Sequence, residues 1–224
     1  MPEIFKTADG SNTLFSPEFN EHYHSTYGAL NESMQVYIEN GLKYCKEKTL
    51  NIFELGFGTG LNAILTYIES IKSNLTIKYN AIELYPVKHE VISGLDYREI
   101  FTMDELSIFN KMHNSQWNTE IKLSKNFILK KIESDFDGYI FKEKFDLIFF
   151  DAFAPETQPN LWSKENFLKV YNSLNPNGIL TTYSSKGIVK RNLRDAGFVV
   201  SRLPGPNGKR HVLRAEKKLI FNFF

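Results

Sequence analysis

Cysteine is all but absent from this 224-residue chain: Cys45 stands alone. No intrachain disulfide can form, and zinc sites built on cysteine pairs are excluded. Long apolar runs are missing as well, and no stretch approaches the roughly 20 residues needed to cross a bilayer. The opening MPEIFKTADG has no basic segment followed by an apolar one, so no signal peptide is expected. A phosphate loop ending in G-K-[ST] and a G-x-S-x-G nucleophile elbow are both lacking. His22 and His24 form H-x-H without a third ligand at a standard spacing, so no metal is expected. These absences lead us to expect a cytoplasmic protein with no membrane partner.

What is present suits one large domain. Hydrophobic residues make up 42% of the chain and charged residues 24%, ordinary values for a soluble fold. The net charge of +1 hides an asymmetry. Residues 1–185 carry 17 Lys and Arg against 24 Asp and Glu, whereas residues 186–224 carry 10 against 2. A basic final sixth on a mildly acidic body is the pattern of a polyanion-binding face, or simply of solvated helix and strand faces.

Strand-like and helix-like runs alternate. LNIFELGFG (50–58) is an apolar run broken by glycines, and residues 60–73 place Leu61, Ile64, Leu65, Ile68 and Ile71 at helical spacing. Strands are expected at 76–84, 127–135, 144–153 and 178–184, and helices at 86–101, roughly 104–117, 160–174 and 186–197. Two last strands, 198–204 and 209–217, are joined by the turn GPNG and pair antiparallel at one edge. Alternation of this kind predicts an α/β doubly wound sheet. A mostly parallel seven-stranded sheet with a late antiparallel edge hairpin is the Rossmann-like class I methyltransferase fold. Residues 1–48 read as an N-terminal cap segment of the same domain, with a loop entering an amphipathic helix over 23–42, and 49–224 as the core. The apolar tail LIFNFF (219–224) reads as an added edge strand or a contact surface.

ELGFGTGLN (54–62) follows the first core strand and opens the first core helix, where a nucleotide loop belongs. Gly56, Gly58 and Gly60 let the backbone turn sharply and approach a ligand. A dinucleotide fingerprint places its third glycine at 61, which is leucine here. Glu54 precedes Gly56 by two residues. E-x-G-x-G-x-G suits S-adenosylmethionine, whose sulfonium and α-amino group a carboxylate can serve. A nicotinamide or flavin cofactor and an unliganded turn are the alternatives. Glu83, at the end of the next strand, offers two acceptor oxygens to two ribose hydroxyls. Asp135 ends the third strand and is a candidate for the adenine amine, with Glu133 and Asp137 close by in sequence.

In FFDAFAPETQPNLW (149–162), a buried strand ends on a single acid, Asp151, and runs into a proline-stiffened aromatic loop. That strand lies beside the first one, so Asp151 faces the crevice at the topological switch point. A carboxylate there can orient an amine and take its proton. Phe153, Pro155 and Trp162 suit an apolar wall for a base. The plainer alternative has Asp151 capping a turn and Trp162 in the core.

FELGFGTGLN, DAFAPETQPNLW, TYSSKGIVKRNLRDAGF and GKRHVLRA, in this order, resemble the methyltransferase part of the MnmC family. These enzymes form 5-methylaminomethyl-2-thiouridine at the tRNA wobble position. The segment DGSNTLFSPEFNEHYHSTYGALNESMQVYIENGL is similar to that family's N-terminal region. The resemblance implies binding of S-adenosylmethionine and methylation of the aminomethyl nitrogen of the wobble uridine in tRNA. Glu54, Gly56, Phe57, Gly58, Gly60 and Asn62 match the cofactor loop, Glu83 the ribose acid, Asp135 the adenine acid and Asp151 the acid at the reacting centre. Tyr27, Glu32 and Ser33 match the segment that closes over the cofactor. Lys190, Arg191, Lys209 and Arg210 match basic positions that would meet tRNA phosphates. Bifunctional members also carry a flavin-dependent oxidase. This sequence has no second glycine fingerprint, so FAD is not expected; either a separate enzyme supplies the aminomethyl-uridine, or the substrate differs from the family's. The other function classes in view are an aminopropyltransferase of the spermidine-synthase type and a non-catalytic nucleoside- or RNA-binding module.

Overall fold

A computed structural model describes residues 1–218; the apolar tail lies outside the described residues. The chain begins with three short strands, β1 (Glu3–Lys6), β2 (Asn12–Ser16) and β3 (Glu21–His22), which form an antiparallel sheet of their own. Helix α1 (Ala29–Ser33) follows and passes without a break into a π-helical turn, Met34–Glu39. Of the loop and amphipathic helix expected over 23–42, the helical part runs from Ala29 to Glu39. The segment before it is a small sheet, hidden from sequence reading because its strands are two to five residues long and β1 is wholly exposed.

The core starts at β4 (Thr49–Leu55), then α2 (Leu61–Lys72), β5 (Thr76–Glu83), α3 (His89–Ser93) and α4 (Met103–Asn114). β6 (Glu120–Ser124), β7 (Phe127–Glu133), β8 (Phe145–Phe150), α5 (Lys164–Ser173), β9 (Leu174–Thr182), α6 (Gly187–Asp195), β10 (Val199–Pro204) and β11 (His211–Glu216) complete it. The sheet order is β10-β11-β9-β8-β4-β5-β7-β6. β7, β5, β4, β8 and β9 run parallel, and β10 and β11 form the expected antiparallel hairpin at one edge. The seven expected strands are all present, and β6 adds an eighth, antiparallel to β7. Its sequence, EIKLS, is short and polar, as an exposed edge requires.

The helix expected over 86–101 shrinks to five residues. It stops at Gly94, where an added Cβ would lie 2.5 Å from the Ile4 side chain, so β1 packs where the helix would continue. α4 starts cleanly because Thr102 and Glu105 form a reciprocal capping box.

Alternation along the central strands builds two core layers. Leu147 and Phe149 of β8 join Ile52 and Tyr79 on one face, while Ile148 and Phe150 join Phe53, Trp162 and Phe167 on the other. Parallel strands buried on both faces read as continuous apolar runs, which is why FDLIFF stood out. The strands β4, β5, β7 and β8 all deliver their carboxyl ends to one side of the sheet, and that is where the cavity opens.

Candidate active site

A cavity of about 610 Å³ lies over these strand ends, large enough for a nucleoside-sized ligand. Its floor is the loop after β4. Gly56 donates its N–H to Ile82 O at 2.9 Å, and Asp151 donates its N–H to Leu55 O at 3.0 Å, so β4 stays in register with β5 and β8 to its own last residue. Gly56 adopts φ +91, and a Cβ there would sit 2.5 Å from Asp151 O. The glycine is required by this close approach of two strand ends. Gly58 has φ +50, and its Cβ would fill the space in front of the Tyr23 ring at 3.2 Å.

Asp151 is half-buried at the cavity wall, and both of its oxygens are held. Tyr37 donates its hydroxyl to Oδ1 at 2.6 Å, and Asn62 donates Nδ2 to Oδ2 at 2.8 Å. Burial pushes the carboxyl up to about 7; the hydrogen bonds from Tyr37 and Asn62 and the Lys209 charge oppose that rise, while Glu32 adds to it. The same Asn62 amide donates to Glu54 Oε1 at 2.9 Å. Glu54 is fully enclosed and takes no part in lining the cavity. Burial raises its proton affinity far above the usual carboxyl range. The expectation of a direct cofactor contact is thus corrected: Glu54 orients Asn62 from beneath.

Glu83 ends β5 at the cavity. One oxygen accepts the Gly58 N–H at 3.1 Å and the other the Tyr85 N–H at 2.9 Å. Each oxygen keeps a lone pair for a further donor. Burial raises its proton affinity too. Gly56, Phe57, Gly58, Asn62, Asp135, Tyr27 and Glu32 also line the cavity. Gly60 and Ser33 do not. An added Cβ at Gly60 would meet the His113 ring at 2.8 Å, so this glycine serves packing against α4. Ser33 is fully buried with its hydroxyl unpartnered among the described residues.

The aromatic loop divides in two. Phe153 lines the cavity and packs against Phe19 and Tyr23, with ring centroids 4.7 and 5.1 Å away. Trp162 does not reach the cavity. It is 2% exposed, packs on Phe150, and donates its indole N–H to Phe153 O at 2.8 Å. Its expected contact with a base is corrected to anchoring of the loop. Pro155 is likewise buried away from the cavity. Glu21 of β3 fixes the loop from the other side, accepting the Ala154 N–H at 3.1 Å and the Thr157 hydroxyl at 2.7 Å.

The basic residues also divide. Lys209 lines the cavity, pairs with Glu32 and lies 4.0 Å over the Tyr183 ring. Gly208 beside it abuts the Tyr27 ring, so the β10–β11 turn closes against the N-terminal segment. Lys190 and Arg191 on α6 and Arg210 lie outside the cavity, with Arg191 and Arg210 exposed. Sequence reading missed Tyr37, Glu21, Tyr23, His24 and Tyr183. His24 lines the cavity and hydrogen-bonds Thr13 Oγ1 at 3.0 Å; burial lowers its pKa to about 4, so it is neutral. Only the H-x-H pair had drawn attention to it.

The residues present fit S-adenosylmethionine. The Gly58 cradle, the Glu83 acceptors and a buried Asn62 Oδ1 without a partner among the described residues are what an adenosyl group and an amino acid moiety need. A family model described as S-adenosyl-L-methionine-dependent methyltransferase matches residues 98–218, more than half of the chain. The chain belongs to this family. Within it, the MnmC likeness read from the sequence holds. The chain is 28% identical over 208 residues to the tRNA 5-methylaminomethyl-2-thiouridine biosynthesis bifunctional protein MnmC of Campylobacter hominis, covering 90% of this chain and 31% of that protein. It spans about a third of the length of such curated relatives. The crystal structure of MNMC2 from Aquifex aeolicus superposes with a TM-score of 0.79 at 27% identity, covering 97% of this chain and 71% of that one. Spermidine synthase from Thermotoga maritima, at TM-score 0.56 and 12% identity over 97% of this chain and 69% of that one, shares the fold alone.

Proposed function

We propose that the protein methylates the nitrogen of the 5-aminomethyl group on the wobble (2-thio)uridine of tRNA, giving 5-methylaminomethyl-(2-thio)uridine. The observation that carries this reading is Asp151: a carboxylate near neutral proton affinity, facing the cavity and held at both oxygens. An amine must reach the reaction with a free lone pair, and a group with its pKa near the working pH suits the removal of that proton. Asp151 accepts the amine N–H and orients the lone pair toward the cavity floor. Gly56, Gly58, Asn62, Glu83, Asp135, Tyr27 and Glu32, which line the cavity, would hold S-adenosylmethionine, and the cofactor would supply the electrophilic methyl group. Phe153, backed by Phe19 and Tyr23, offers its face to the base.

The printed name of the relatives supports the choice of tRNA, and the charge of the C-terminal sixth suits a polyanion. Lys190 and Arg191 on α6, and Arg210 after the β10–β11 turn, lie beyond the cavity and would meet phosphates; Lys209 stands at the cavity itself. No helix among the described residues is long and apolar enough to cross a membrane. In this reading the enzyme works in the cytoplasm, on aminomethyl-uridine made by a separate enzyme. The test is nucleoside mass spectrometry of tRNA from cells lacking the protein. Aminomethyl-uridine should accumulate at the expense of its methylated form, and an unchanged profile would sink the proposal. Calorimetry with S-adenosylmethionine and its decarboxylated form separates methyl from aminopropyl transfer.

A further inference from the structure

The hydroxyl that meets Asp151 comes from far away in the chain. Tyr37 lies 114 residues earlier, in the π-helical turn Met34–Glu39. Such turns carry one extra residue per hydrogen-bonded loop, which rotates the side chains after it, and they recur at functional sites. The Tyr37 ring is 1% exposed and packs on Phe149 of β8, two residues before Asp151, with centroids 5.1 Å apart. Strand and turn are thus locked together, and the phenol has one direction in which to point. Burial, and the Asp151 charge after it, raise the Tyr37 pKa well above the phenol range, so it remains a donor at every working pH. It cannot take the amine's proton itself.

We propose that Tyr37 is a positioning residue for Asp151: its hydroxyl fixes one carboxylate oxygen, so that the remaining lone pairs face the cavity. The proposal rests on the reading of Asp151 as the amine's proton acceptor. Asn62 does a different job, because its amide is shared with Glu54. The other charged or titratable groups facing Asp151 are Glu32 from α1, Lys209 from the β10–β11 turn, Glu54 of β4, Tyr79 of β5 and Tyr183 after β9. Glu32 raises and Lys209 lowers its proton affinity, and they pair with each other. The Tyr37 hydrogen bond is the largest influence opposing burial.

The test is a carboxyl ¹³C titration of the aspartate-labelled protein, with the Asp151 signal assigned by its loss in Asp151→Asn. Tyr37→Phe removes the hydroxyl and keeps the ring on Phe149; the Asp151 midpoint should rise by about one unit. Replacing Tyr37 with 3-fluorotyrosine makes the phenol a stronger donor and should move the midpoint down. Midpoints that coincide in all three proteins overturn the proposal. Should Tyr37→Phe fail to fold, the fluorotyrosine protein, which keeps ring and hydroxyl, decides alone. The kinetic arm uses S-adenosylmethionine and an anticodon-arm RNA carrying 5-aminomethyl-2-thiouridine. Tyr37→Phe should lower kcat about tenfold, leave the KM for S-adenosylmethionine unchanged, and shift the acid limb of the rate profile upward with the titration. A slower enzyme whose limb stays in place overturns it equally. An inactive wild-type protein would remove the methylation reading instead, and the titration would still decide whether Tyr37 governs Asp151.

Discussion

β4 and β8 lie side by side, and each carries an acid near its carboxyl end. Glu54 is the second-last residue of β4; Asp151 follows the last residue of β8. One Asn62 amide bridges the two carboxyls, yet their situations differ. Glu54 points to the α2 side of the sheet, where Asn62 meets it, and is fully enclosed, and burial raises its proton affinity well above the usual carboxyl range. Asp151 emerges one residue beyond its strand, reaches the cavity, and titrates near neutrality. A displacement of one or two residues along neighbouring strands separates an enclosed acid from one that faces the cavity. Sign of charge and residue type alone do not.

The comparison breaks most sharply at Asp151. Asp151→Asn should reduce turnover about a thousandfold, the range of general-base removal, while calorimetry still finds S-adenosylmethionine bound. Equal loss of both would return Asp151 to the same class as Glu54. Next in size is Trp162→Ala, which opens a cavity beneath the loop and unpairs Phe153 O. It should cost about 3–5 kcal/mol in denaturant unfolding. A loss below ~1 kcal/mol would mean that the indole is not the anchor. A pH series gives a smaller effect. The folded chain holds the Asp151 proton more tightly than the unfolded one. That stability is fully present below the usual value of 3.8 and is lost as pH rises through about 7. Activity should rise over the upper end of the same window, and Asp151→Asn should be more stable than wild type above it. Glu54→Gln should do least, because Glu54 lies outside the cavity and acts through Asn62. Its kcat should stay within about tenfold of wild type, and a loss to match Asp151→Asn would show that Glu54 takes part in the reaction itself.

The place of Asp151 at the cavity was legible because an apolar run that ends on one acid has few explanations, and leucine at position 61 favoured S-adenosylmethionine over a dinucleotide. Trp162 was not legible. A tryptophan at the end of a proline-rich loop reads the same whether it forms the wall or pins it, and only the indole hydrogen bond to Phe153 O distinguishes them. Tyr37 was invisible for a different reason. A π-helical turn shifts the phase of the 3.6-residue period, and nothing in sequence spacing links residue 37 to residue 151. The small N-terminal sheet escaped because strands of two to five residues carry too little alternation to be counted.

The contact between Lys209 and Glu32 spans 177 residues, and Gly208 abuts Tyr27 beside it. This side of the cavity is therefore made from the N-terminal segment and the turn between the last two described strands. During synthesis, the glycine loop and Asp151 leave the ribosome tens of residues before the turn at 205–210 that closes over them. A nascent chain can assemble β4, β5 and β8 and still present an open crevice. Ligand binding would then report completion of the hairpin, so that a bound cofactor stabilises only those molecules whose last two strands are in place.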